Sequence, residues 1–181
     1  FTTRLVPTEG AWSVSFFARR DRDQAAHTEV VSQGMSSGPG FYVGTAPNGQ
    51  IRVGDQWTST GVPFSAPGVF AHYAVTVDPA ASSTRLYVDG VLQASQPFAV
   101  VVSASGTTTR LGRQFDPIGE YFAGAIDEFR VYSGALTASE VSALAAPVPE
   151  PSTFVLMGAG FAGLAVWRRR RADGREAVRA A

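Results

Sequence analysis

Thr84-Arg85-Leu86-Tyr87-Val88-Asp89-Gly90-Val91-Leu92-Gln93-Ala94 is the stretch whose reading decides the fold. Asp-Gly between two β-rich runs suits a type I′ turn, because both central residues of that turn take positive φ. Such a turn places Val88 opposite Val91 on one face of a hairpin and Tyr87 opposite Leu92 on the other. Upstream, Trp12, Val14 and Phe16 alternate with Ser13 and Ser15, the period of a half-buried strand, until Phe17 breaks it. With the hairpin strands at 84–89 and 91–95, and the run at 12–19, further strand-like runs lie at 29–32, 40–45, 50–54, 70–78, 107–112 and 122–132. Gly, Pro, Asp or Asn turns separate nearly all of them, which favours an antiparallel sandwich or barrel over βαβ units. The expected class is all-β, a two-sheet antiparallel jelly-roll sandwich.

One stretch reads as a helix. Thr137-Ala138-Ser139-Glu140 forms a capping box, in which the Thr137 hydroxyl accepts from the Glu140 N–H and the Glu140 carboxylate reaches back. Val141 and Leu144 add a short apolar stripe, so a short helix is expected near 137–144, packed on the end of the sandwich.

Composition narrows the function classes. The 181 residues allow one ordinary domain and a tail, and 19 Gly with 11 Pro supply the turns that short strands need. The absence of Cys excludes a disulfide framework, a thiolate metal site and a cysteine nucleophile. Net charge is zero but unevenly spread. Residues 1–146 hold nine Arg against twelve acidic residues, and residues 147–181 hold six Arg against three. An acidic body argues against nucleic acid as its partner. The chain begins at Phe1 without a charged-then-apolar leader, and reads as a fragment of a longer precursor.

Three motifs then follow in order: His72-Tyr73-Ala74-Val75-Thr76-Val77-Asp78, Arg85-Leu86-Tyr87-Val88-Asp89-Gly90, and Phe122-Ala123-Gly124-Ala125-Ile126-Asp127-Glu128-Phe129-Arg130-Val131-Tyr132 leading into Ala135 to Val141. Together they resemble the laminin G-like jelly-roll family of the concanavalin A-like lectin/glucanase superfamily, and the resemblance covers about residues 10–145. It implies a non-catalytic extracellular binding domain. The family strand that would precede Trp12 is expected to be absent or truncated at Phe1, leaving a sheet open.

The end of the chain reads Ala146-Pro147-Val148-Pro149-Glu150-Pro151-Ser152-Thr153, then an uncharged apolar run at 154–167, then Arg168, Arg169, Arg170 and Arg171. As a helix the 14-residue run spans about 21 Å at about 1.5 Å per residue, short of the roughly 30 Å hydrocarbon core, so it inserts only marginally. Four adjacent Arg resist translocation, which holds 168–181 in the cytoplasm and puts 1–150 outside. Trp167 sits where an interfacial anchor would, and Pro147, Pro149 and Pro151 keep the preceding linker, 147–153, extended. A permanent C-terminal anchor is the alternative reading. This tail resembles the PEP-CTERM sorting signal of Gram-negative bacteria, with Pro149, Glu150, Pro151 and Arg168 to Arg171 in the motif positions. The resemblance implies an exosortase-like processing enzyme as partner, transient membrane anchoring through 154–167, and release or attachment at the cell surface in exopolysaccharide-producing species. The chain runs ten residues past the Arg cluster, where members of that family usually stop.

Candidate site residues each carry a structural reading beside the functional one. Asp127 shares parity with Phe129 and Val131, so either a bulge re-aims its carboxylate or backbone N–H groups and an Arg satisfy it. Calcium, which this superfamily holds at the sandwich rim, would need oxygen ligands from several loops. Asp55, Asp78, Asp89 and Asp116 are the candidates, of which Asp55 and Asp116 are retained; Asp78, Asp89 and Asp116 each also precede a Pro or Gly in a turn. His27 and His72 have no metal-ligand spacing, and His72 reads as a packed or hydrogen-bonded residue. Phe41, Tyr42, Trp57 and Tyr121 are candidates for a sugar-stacking platform. A glycosidase of this superfamily would carry Glu-x-Asp-x-x-Glu on one strand face, and no such pattern occurs. Glu120 and the Asp127-Glu128 pair do not supply it, since strand neighbours point to opposite faces. The expected function is a surface-displayed glycan or matrix binding module. A structural matrix or adhesion protein is the alternative, followed by a glycoside hydrolase.

Overall fold

A computed structural model of the protein describes residues 3–35, 40–114 and 119–146. The chain divides into two units, Phe1–Ala146 and Pro147–Ala181. The linker 147–153, the apolar segment 154–167, the cluster Arg168 to Arg171 and Asp116 lie outside the described residues. Among the described residues, no helix is long and apolar enough to cross a membrane.

The first unit is built of β1 (Trp12–Arg20), β2 (Thr28–Gly34), β3 (Phe41–Thr45), β4 (Ile51–Val53), β5 (Ala71–Asp78), β6 (Ser83–Val88), β7 (Val91–Gln96), β8 (Thr107–Leu111), β9 (Gly124–Tyr132) and α1 (Ala138–Ala145). A five-stranded antiparallel sheet, β7-β6-β5-β1-β9, packs on a four-stranded one, β4-β3-β2-β8. This is the expected two-sheet sandwich, with a strand at each predicted run.

Alternation decides what enters the core. Trp12, Val14, Phe16 and Ala18 of β1 pack with Tyr73, Val75 and Val77 of β5 against Phe41, Val43, Ile51 and Val53 of the other sheet. Trp12 meets Phe41 edge-on at 4.8 Å, and Tyr73 stacks on Phe64 at 4.5 Å. Each such side chain contributes roughly 1.5–3 kcal/mol by leaving water.

The hairpin forms as its turn chemistry requires. Asp89 and Gly90 both take positive φ, at 49° and 78°. Tyr87 pairs with Leu92 and Val88 with Val91. A Cβ on Gly90 would also sit 3.0 Å from Ser142 Cα, so the turn and α1 are in close approach.

Two expectations are corrected. The helix has its capping box on Thr137 and Glu140, but it lies on the outer face of the five-stranded sheet rather than on the end of the sandwich. Val141 is fully buried against Ala74 and Tyr87, residues that alternate with the core-facing Tyr73, Val75 and Leu86. Ser13 ties the approach down, donating to the Gly134 carbonyl at 2.7 Å and accepting from the Leu136 N–H at 2.9 Å.

The sheet edge expected to be open is covered. Gly112 N–H donates to Val30 of β2, so by alternation Thr109 N–H points to the opposite side of β8, where it donates to the Thr3 carbonyl at 3.1 Å. Leu5 N–H donates to Thr109 Oγ1, and the buried Gln33 side chain holds both the N–H and the carbonyl of Val6. Residues 3–6 therefore lie along β8 without forming a regular strand.

Asp127 follows the bulge alternative. Phe17 lies opposite Asp127 and Ser15 opposite Arg130, so Glu128 and Phe129 together face Phe16. Glu128 absorbs the extra residue at φ 49°, a conformation that costs a non-Gly residue about 1–2 kcal/mol. Ile126, Phe129 and Val131 thereby pack on the core while Asp127 and Glu128 are both exposed.

Candidate functional site

The four-stranded sheet turns a polar face outward. Tyr42 and Gly44 of β3 and Arg52 of β4 alternate with the core residues Val43, Ile51 and Val53, and Glu29 of β2 lies beside them. Arg52 Nη2 donates to the carboxylates of both Glu29 and Glu120. Its guanidinium also lies over the Tyr42 ring, 4.3 Å from the centroid. Glu29 N–H donates to the Glu120 carbonyl at 3.0 Å, which docks the segment before β9 onto β2. A Cβ on Gly44 would fall on the Thr28 carbonyl oxygen and the Glu29 carboxyl, so only Gly leaves room for the buried acid.

Burial controls the chemistry of this network. The Glu29 side chain is 0 % exposed and that of Arg52 is 7 %. Desolvation pushes the Glu29 carboxyl well above the usual carboxylate range; Arg52 opposes the shift, and the neighbouring Glu120 carboxyl adds to it. Two acids facing one guanidinium in a dry site are best balanced when one of them keeps its proton. Desolvation likewise raises the Tyr42 hydroxyl, with Asp55 adding to the shift. His27 lies 3.9 Å from Glu120; burial lowers its pKa and Arg52 lowers it further, while Glu120 raises it. Glu29 and Glu120 converge on the same Arg52 nitrogen, which draws them closer than the roughly 5–5.5 Å that even a retaining enzyme needs between its carboxyls.

Beside the network, at the rim, an open cavity of about 360 Å³ is lined by Arg20, Asp23, Gln24, Pro47, Asn48 and Pro63. The loop between β1 and β2 joins the two regions. Gln24 donates to the Tyr121 carbonyl at 3.2 Å and accepts from the Ala123 N–H at 3.1 Å. Arg20 is held by Nε donating to the Ser65 carbonyl and by an ion pair with Asp23 at 2.7 Å. Asp23 is 78 % exposed, so this carboxylate can still accept from a ligand. The cavity thus offers a guanidinium, a carboxylate and an amide at one mouth, the mixture that orients a hydroxyl-rich ligand.

The residues singled out in the sequence scatter. Phe41, Tyr42 and Trp57 are buried, at 0 %, 2 % and 3 %, and cannot form a stacking platform; Tyr121 is 65 % exposed, with Arg113 5.5 Å from its ring. Phe70, passed over in the sequence, is 47 % exposed. Asp55 accepts from the Gly40 N–H at 2.7 Å, Asp78 from Ala80 and Ala81, and Asp89 from His72. Among the described residues, no three His, Asp or Glu side chains group as a metal site would require. His72 is packed as expected: Nε2 lies 2.8 Å from Ser15 Oγ, and burial lowers its pKa. The Glu29–Arg52–Glu120 network was missed. Its one sequence signal is a charged residue flanked by β-branched residues in a short run, as in Ile51-Arg52-Val53.

Residues 1–142 match the concanavalin A-like lectin/glucanases superfamily. The chain belongs to that superfamily. Residues 147–171 match the PEP-CTERM protein-sorting motif, a signal for export to the cell envelope. No curated protein matches the chain.

Among solved structures, this superfamily member is similar to domain 4 of AbnA, a GH43 extracellular arabinanase from Geobacillus stearothermophilus in complex with arabinotriose. The two share 24 % identity over 80 % of this chain and 70 % of that one, with a TM-score of 0.62. A putative carbohydrate binding protein from Bacteroides ovatus is 19 % identical over 77 % of this chain and 43 % of its own, with a TM-score of 0.63. The CBM40 of the Ruminococcus gnavus IT-sialidase is 16 % identical over 77 % and 85 %, with a TM-score of 0.61. At these identities the likeness is one of fold.

Proposed function

We propose that the 1–146 domain is a non-catalytic glycan-binding module whose ligand enters the rim cavity, and that the tail delivers it to the envelope of a Gram-negative bacterium. The observation that carries the binding reading is the cavity of about 360 Å³ in which Arg20, Asp23, Gln24 and Asn48 converge. Three structures of the same fold that are described as carbohydrate-binding or hold an oligosaccharide support it. In the tail, Pro149, Glu150 and Pro151 are the processing site for an exosortase-like enzyme, 154–167 crosses the membrane transiently, and Arg168 to Arg171 hold the cytoplasmic end. Asp55 and Asp116 are the carboxylate ligands this reading offers to a calcium ion.

Retention of the full chain on immobilised neutral and acidic polysaccharides, with and without calcium, tests the module. Asp23→Ala with Asn48→Ala is expected to weaken retention about tenfold, the loss of one charge-assisted and one neutral hydrogen bond. No retention on any polysaccharide would favour a purely structural role, and release of reducing sugar would make the protein a hydrolase. Replacing Arg168 to Arg171 by Ser is expected to abolish surface delivery, scored by protease accessibility on intact cells. Normal delivery of that variant would remove the sorting reading.

A further inference from the structure

The rim is not the only concave surface. On the outer face of the five-stranded sheet, a separate cavity of about 220 Å³ is lined by Phe17, Phe70, Asp127 and Glu128. It exists because the β9 bulge sends two successive carboxylates to the same side, at the expense of a positive φ at Glu128. The Phe17 ring packs on the buried His72 ring at 5.0 Å. Phe70 is 47 % exposed, and the Arg19 guanidinium lies over its ring, 5.2 Å from the centroid.

The polar groups around this cavity leave unused capacity. Asp127 Oδ1 accepts from the Glu128 N–H, and Glu128 Oε2 accepts from Arg130 Nη2, so each carboxylate keeps a second oxygen for another donor. Arg19 Nη2 donates to Asp21 at 3.1 Å, while Arg19 Nε and His72 Nδ1, buried beside the two rings, have no hydrogen-bond partner.

We infer that this cavity is a second carbohydrate site, which takes the ring of a neutral sugar. Charge decides the class of ligand. Asp127 and Glu128 oppose an anion, and Arg19 and Arg130 beside the cavity, paired with Asp21 and Glu128, offset these acids against a cation, whereas a neutral hydroxyl donates to the free carboxylate oxygens. The C–H face of a sugar ring packs on the exposed Phe70. None of the residues lining this cavity lines the rim cavity, so the inference does not rest on the rim being a site. A module with both sites would engage two stretches of polysaccharide and gain avidity beyond either contact alone.

Saturation-transfer NMR on the detergent-solubilised full chain tests this, with methyl β-glucopyranoside and methyl β-galactopyranoside as probes and choline as the cationic control. Saturation of the aromatic protons is expected to pass to the ring C–H protons of at least one glycoside. Phe70→Ala, at an exposed position, is expected to weaken that binding about two- to tenfold. Asp127→Asn keeps one acceptor oxygen and is expected to weaken it less. In the Asp23→Ala, Asn48→Ala background, which removes the contribution of the rim, the transfer that remains is expected to be the part that Phe70→Ala lowers. The inference is overturned by any of three results: no transfer to either glycoside, transfer indifferent to Phe70→Ala, or stronger transfer to choline. A signal lost with the rim variant and kept with Phe70→Ala would overturn this site while leaving the rim reading standing.

Discussion

Two places in this sandwich bring two acids and one Arg together, and burial makes them opposites. On the four-stranded sheet, Glu29 and Glu120 share Arg52, with side chains 0 %, 20 % and 7 % exposed. On the five-stranded sheet, Glu128 pairs with Arg130 at 2.7 Å next to Asp127, with the paired side chains 38 % and 46 % exposed. In the first trio the charges have left water and depend on one another, so loss of one strands the others in a dry site. In the second, water replaces any partner that is removed, and the groups remain available to a ligand. The same residue types act as a clamp in one place and as a binding surface in the other.

The sharpest way to break the comparison is to remove each Arg. Arg52→Ala is expected to cost about 3–5 kcal/mol in urea unfolding, because two acids then face each other with no cation. A loss below about 1 kcal/mol would mean that the network is hydrated after all. The next effect is a pH dependence. Glu29 holds its proton above the ordinary glutamate value of 4.5, so folding binds a proton that the unfolded chain releases. Its contribution is complete below that ordinary value and is lost as pH rises toward the folded value, by at most about 1.4 kcal/mol per pH unit. Glu29→Gln carries the neutral form permanently. Thermal unfolding across this range is expected to show a decline with rising pH in the parent protein that flattens in the variant; parallel curves would mean that Glu29 is ionised. The smallest effect belongs to the exposed trio, where Arg130→Ala is expected to change stability by less than about 0.5 kcal/mol, a difference that added salt shrinks further. A loss comparable to that of Arg52→Ala would erase the distinction.

Local signals survived folding where the competing forces were also local. Asp89-Gly90 formed its turn and the Thr137–Glu140 box capped its helix, because the groups that decide them are within a few residues of each other. Asp127 was legible as a conflict between strand parity and the cost of burying a carboxylate, and the bulge at Glu128 resolved it. Distant partnerships were not legible. Arg52 meets acids 23 and 68 residues away, and no spacing rule connects them. Three of the four aromatic candidates, Phe41, Tyr42 and Trp57, are buried for the same reason: Phe41 stands in a strand and Trp57 in a loop, yet both are core residues once the second sheet covers them. The position of α1 depended on which sheet face Ala74 and Tyr87 left uncovered.

From the residue pattern alone came the all-β class, the nine strand positions, the hairpin register and the order of motif, apolar run and Arg cluster in the tail. Each depends on hydrogen bonding and alternation along a few neighbouring residues. Folding in three dimensions decided which acids are dry and which are wet, which rings reach solvent, and where the rim cavity and the cavity beside Phe70 open. Those outcomes depend on desolvation, and whether a group keeps its water is set by chain segments remote from it in sequence.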